Sequence, residues 1–157
     1  FQLLNGEIVE KVVTQKHGIL AVNIASAIKA YLRDHKVGRV AVEVRHRATG
    51  DDSNELLPDV SFTRDLDRPI TEVGPVPYMP DLAVEIKSPD DTYKEMRAKA
   101  RYYLTHGTHL VWLVFPEKQI VEVYSLEDEQ ILGVNDSLTG GSLLPGFSLA
   151  VNDVFGD

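Results

Sequence analysis

The chain has 157 residues, 43% of them hydrophobic and 25% charged, which suits one compact domain over 1–157 with a core of its own and leaves little room for a second. Cysteine is absent, which excludes a disulfide framework, a thiolate zinc site and a cysteine nucleophile; a reducing cytoplasm is the expected setting, and any metal must be held by Asp, Glu, His or carbonyl oxygen, which suggests Mg or Mn. The formal charge of -8 argues against a broad nonspecific nucleic-acid surface, but residues 117–157 carry -7 of it and residues 1–116 only -1, so the first three quarters can still present a basic face to phosphate.

Taken in chain order, residues 3–9 read as two short strands joined at Asn5-Gly6, a pair that accepts the positive φ of a tight hairpin. Leu20, Ile24, Ala27, Ile28, Tyr31 and Leu32 recur at helical spacing, which predicts a first helix over about 16–35 with Thr14 as N-cap and Gly38 just beyond its end. Val40, Val42 and Val44 alternate with Ala41, Glu43 and Arg45 as in a half-buried strand, with Glu43 on the solvent side. After a loop at 49–54, residues 56–63 form the next strand, with Pro58-Asp59 near its start.

Residues 64–80 hold four prolines and no clear period, and so read as a long loop. A strand follows at 81–87, then helix-start residues Ser88-Pro89-Asp90-Asp91 and a second helix over about 92–106, closed by Gly107. Residues 110–115 are almost continuously apolar, as in a central strand, and 120–124 return antiparallel to them. The remainder is rich in turns, with short pieces around Phe147 and Val154, and no run approaches the roughly 18 apolar residues of a membrane span.

Along 81–87 the alternation puts Asp81, Ala83, Glu85 and Lys87 on one face and sends Leu82, Val84 and Ile86 to the core. A carboxylate beside an ammonium on an otherwise apolar strand suits a metal ligand next to a group that orients water. Asp81 is four residues from Glu85, about 13 Å away at strand spacing, too far to share one ion with it. A second acidic ligand must come from another strand. Asp59 is the best candidate, because neighbouring strands lie about 4.8 Å apart.

Pro58-Asp59 followed by Glu85-Ile86-Lys87 on a strand ahead of a helix resembles the PD-(D/E)XK nuclease superfamily. The longer pattern, residues 80–89, then Lys99, Tyr102-Tyr103, Gly107 and 111–114, is similar to the Uma-two family of restriction endonuclease-like proteins. His17, Pro58-Asp59-Val60 and Leu144-Pro145-Gly146 fit the same pattern, so the resemblance spans the whole chain. It implies an α/β restriction-endonuclease-like fold, a central mixed sheet flanked by helices, and Mg-dependent hydrolysis of DNA phosphodiester bonds. Asp59, Glu85 and the Ile86 carbonyl would bind the metal, and Lys87 or the helical Lys99 would orient or activate water. Glu10 or Glu7 would add an accessory acidic group, with His17 as a second accessory residue.

Lys94, Arg97 and Arg101 recur along one face of the second helix and are candidates for contact with a DNA backbone. Tyr102, Tyr103 and Trp112 read as packing residues. A homodimer is expected, since many nucleases of this size cut both strands as pairs. The alternative is a noncleaving nuclease-fold module that binds nucleic acid or protein; a third reading has the apolar segment 143–147 packing in a dimer.

Overall fold

The structure is a computed structural model that describes residues 1–64 and 66–156. Two strands, β1 (Gln2–Leu4) and β2 (Glu7–Val9), form the opening hairpin, with Asn5 at φ 51° and Gly6 at φ 81° supplying its turn. Helix α1 (Gln15–Asp34) follows, and the Thr14 side chain accepts the His17 N–H at 3.2 Å as its N-cap. Then come β3 (Arg39–Val42), β4 (Val60–Thr63), β5 (Leu82–Ile86), α2 (Tyr93–Thr105), β6 (Leu110–Phe115) and β7 (Ile120–Tyr124). The chain ends with β8 (Glu129–Leu132), the hairpin of β9 (Ser137–Gly140) and β10 (Leu144–Ala150), and α3 (Val151–Phe155).

Six strands make one mixed sheet in the order β3-β4-β5-β6-β7-β8. The β5–β6 pair is parallel, because the α2 crossover carries the chain back to the same end, and every other pair in the sheet is antiparallel. Helix α1 buries Leu20, Ile24, Ile28 and Leu32 on one face, against Val60, Phe62, Val84, Ile86 and Trp112. Helix α2 buries Met96, Ala100, Tyr103 and Leu104 on the other, against Ala83, Val111, Leu113 and Phe115. At Gly38 a Cβ would lie 2.2 Å from the Thr63 carbonyl, so the turn into β3 can pass this close to β4 only as glycine.

Four expectations change here, the first being a boundary: the strand expected over 56–63 begins only at Val60, and Leu56 makes just an isolated bridge to His46. Strand β5 is buried along its whole length, so the face bearing Ala83 and Glu85, opposite the one expected in the core, is covered as well, by α2. That is the ordinary condition of a central strand paired in parallel. Strand β3 stops at Val42, which is half exposed, because Glu43 turns to φ 54°; the alternation through Val44 does not continue as strand. Leu143, Leu144 and Phe147 are buried within the chain beside α1, so that segment offers no apolar face to a second copy.

Candidate active site

The site grows from the junction of β4 and β5. Val60 pairs with Val84, which puts Asp59 and Glu85 side by side one step further along their antiparallel strands. Backbone pairing gives way to a side chain there: Asp59 Oδ2 accepts the Ile86 N–H at 2.7 Å. Both carboxylates are buried, Asp59 at 0% exposure and Glu85 at 3%. Two carboxylates at this depth are costly unless cations or donors face them.

Four groups from three elements do so. The Lys11 ammonium, on the link between β2 and α1, is 2.8 Å from Asp59 Oδ1 and 3.8 Å from Glu85 Oε1, and it donates to the Leu57 carbonyl. From the first turn of α1, His17 Nε2 donates to the Ile86 carbonyl at 2.9 Å and lies 3.4 Å from Asp59 Oδ2. Because a carbonyl only accepts, Nε2 carries the imidazole proton, and Nδ1 is buried without a hydrogen-bond partner among the described residues. From α2, Tyr103 donates its hydroxyl to Glu85 Oε2 at 2.7 Å, and Lys99 Nζ is 3.5 Å from Glu85 Oε1. Lys99 and Tyr103 are four residues apart, one helical turn, and so reach the same carboxylate.

Burial pushes the Asp59 carboxyl up to about 7, and the neighbouring Glu85 charge adds to it against the pull of Lys11. Burial works against the charge on Lys11, yet Glu85 and Asp59 together raise its pKa above the ordinary lysine value. Burial and the Lys11 charge lower the pKa of His17, which keeps it neutral near pH 7. The buried Tyr103 hydroxyl is pushed well up by desolvation and by Glu85, so it acts as a donor.

The predicted residues divide sharply. Asp59, Glu85, the Ile86 carbonyl, His17 and Lys99 come together. His17 is buried although it stands in the first turn of α1. Lys87 does not join them: β5 ends at Ile86, and the Lys87 ammonium lies 3.4 Å from Glu117 Oε1 and 5.2 Å from the centre of the Tyr93 ring. Glu10 and Glu7 are exposed, and it is the next residue, Lys11, that turns inward. Glu43 is exposed, and its backbone N–H donates to the Asp59 carbonyl at 3.3 Å.

Arg97 is committed elsewhere. Its Nε and Nη2 donate to Glu122 at 3.0 and 2.7 Å, so the expected row with Lys94 and Arg101 is not three free cations. Sequence reasoning missed Lys11 and the tyrosine hydroxyl. Tyr103 carried a usable signal, its i, i+4 spacing from Lys99; Lys11 carried none, since its partners lie 48 and 74 residues away in sequence.

A mixed sheet between helices, with two buried carboxylates side by side where adjacent strands diverge, defines a nuclease-like α/β protein. The family model for Uma2, described as "putative restriction endonuclease", matches residues 1–152, and the chain belongs to that family. A solved structure from Anabaena variabilis, described as "a putative nuclease belonging to DUF820", is similar to it with a TM-score of 0.83 and 25% sequence identity, covering 98% of this chain and 88% of that one. None of the curated proteins compared with the chain matches it. No helix among the described residues is long and apolar enough to cross a membrane.

The donor set suits a hard cation. Among the described residues no three His, Asp or Glu side chains are arranged to hold a metal ion by themselves, but Asp59 Oδ1, Glu85 Oε1 and the Leu57 carbonyl face one position, and the Ile86 carbonyl lies close by under His17. Mg is commonly held by one or two carboxylates with water completing its shell, so these oxygens fit such an ion.

Proposed function

We propose that this protein is a divalent-metal-dependent endonuclease that hydrolyses DNA phosphodiester bonds, with Mg or Mn as its ion. The observation that carries the reading is the pair Asp59 and Glu85, both buried, with Oδ1 and Oε1 aimed at a single cation position. An ion held there would lower the pKa of a bound water and polarise the scissile phosphate.

The chain's own residues do the positioning. Asp59 is fixed by the Ile86 N–H, and Glu85 by the Tyr103 hydroxyl, so each keeps one oxygen for the ion. His17 holds the Ile86 carbonyl in place, and that oxygen retains a second lone pair. Lys99, beside Glu85, is the lysine placed to orient water and to neutralise charge developing on the phosphate; Lys87, turned toward Glu117, is not. We further infer that the whole chain acts as one nuclease-like domain, in the cytoplasm, and as a homodimer when both strands are cut.

The test is plasmid nicking with Mg or Mn by the parent, Asp59→Asn, Glu85→Gln and Lys99→Ala, beside light scattering for the oligomeric state. Nicking by the parent alone supports the reading. A folded, metal-loaded parent that leaves duplex, single-stranded and branched DNA intact contradicts it and favours the noncleaving module.

A further inference from the structure

Lys11 does more than sit near the site. Its ammonium faces three oxygens at once: Asp59 Oδ1 at 2.8 Å, Glu85 Oε1 at 3.8 Å and the Leu57 carbonyl, to which it donates. Among the described ion pairs it is the only lysine that reaches both carboxylates; Lys99 reaches Glu85 alone. Two carboxylate oxygens and a carbonyl converging on one positive charge are the kind of surroundings a hard divalent cation takes. The chain has put a cation of its own there.

The backbone around Lys11 suits an occupant that can leave. Residues 10–14 belong to no helix or strand, between the end of β2 at Val9 and the start of α1 at Gln15. The Lys11 side chain is 10% exposed while Asp59 is 0%, so of the two groups the lysine lies nearer to solvent. A four-carbon stem can swing outward from such a segment without breaking a ladder bond or a helical turn.

We propose that Lys11 is a tethered stand-in for the metal: it neutralises the Asp59–Glu85 pair in the metal-free protein and is expelled when a divalent cation binds. The inference rests on the metal-dependent reading above. An ammonium and a divalent ion repel each other and cannot share the same oxygens, so binding the ion requires both Lys11 ion pairs, to Asp59 and to Glu85, to be broken. Lys11 therefore sets the metal concentration at which the site fills, and it spares the empty protein two uncompensated carboxylates.

The experiment compares the parent with Lys11→Met, which keeps the length of the side chain and removes its charge. Calorimetric Mn titration is expected to show binding at least about tenfold tighter in Lys11→Met. The variant should also melt at a lower temperature than the parent in EDTA and recover with Mn. In the parent, reductive methylation followed by peptide mass spectrometry should find Lys11 protected in EDTA and labelled at saturating Mn, with Lys16 and Lys29 labelled equally in both. The labelling of the parent decides the matter if Lys11→Met fails to fold without metal.

Binding by the variant but not by the parent overturns the exchange, since Lys11 would then close the site to metal and not yield it. Equal Mn affinity in both proteins, with Lys11 still protected in the Mn-saturated parent, overturns it and makes Lys11 a fixed counter-ion, while metal-dependent nicking by the parent would leave the nuclease reading intact. If neither protein binds Mn, both fall.

Discussion

Helix α2 touches two buried carboxylate sites, and they are built on opposite plans. Toward β7, Glu122 receives both arms of Arg97, at 3.0 and 2.7 Å, and the Tyr124 hydroxyl at 2.6 Å. Its charge is answered in full, and Arg97 holds its carboxyl below the usual range. Toward β4, two carboxylates share lysine ammoniums that lie 2.8 to 3.8 Å away, and burial drives Asp59 up to about 7. A carboxylate with a bidentate partner is part of the framework. A buried pair whose oxygens converge on one cation position, held by single ammoniums and not by a bidentate fork, is a place where another cation can bind.

The largest expected effect separates the two sites directly. Glu85→Gln or Asp59→Asn should lower the nicking rate by at least about 10²-fold, whereas Glu122→Gln should leave it within about threefold; single-turnover nicking under saturating Mn measures both. Next comes the choice of lysine. Lys99→Ala is expected to slow nicking by about 10²-fold and Lys87→Ala by no more than a few-fold, and the reverse order would move the water-orienting role back to the end of β5.

Stability should answer with the opposite pattern. Arg97→Ala leaves Glu122 buried without its main partner and is expected to cost about 1–3 kcal/mol in urea denaturation, with nicking unchanged. Tyr103→Phe removes a single bond to Glu85 and should cost about 1–2 kcal/mol, since Lys99 and Lys11 remain.

The smallest effect is one of pH. The Glu122 carboxyl titrates lower in the folded chain than its ordinary 4.5, so its stabilising contribution is fully present above that value and is lost as pH falls through the folded one. Thermal melts between about pH 5 and pH 3 should therefore decline less steeply in Glu122→Gln than in the parent.

What could be read from the sequence, and what could not, follows the range of the interactions. The Asn5-Gly6 hairpin, the Thr14 cap and the apolar row of α1 are local, and all three are legible in short windows. The central position of β6 follows from its unbroken apolar run, and the pairing of Asp59 with Glu85 follows from strand spacing once the two segments are taken as neighbours. The covered polar face of β5 is not local. Alternation at 81–87 resembles a half-exposed strand because Ala83 is small and Glu85 is charged, yet Tyr103 packs over both. The Arg97–Glu122 bond was hidden for the same reason: helical spacing shows that Arg97 shares a face with Lys94, not that β7 presents a carboxylate to it. Lys11 depends on where a link without regular structure crosses the end of two strands, which no periodicity encodes.

The central claim is that Asp59 and Glu85 form the metal pocket and Glu122 does not. Mn titration calorimetry of the parent, the Asp59→Asn/Glu85→Gln double variant and Glu122→Gln tests it most directly. One binding event in the parent and in Glu122→Gln, absent from the double variant, is the predicted result. Binding that persists in the double variant would contradict the account and place the ion elsewhere in the molecule.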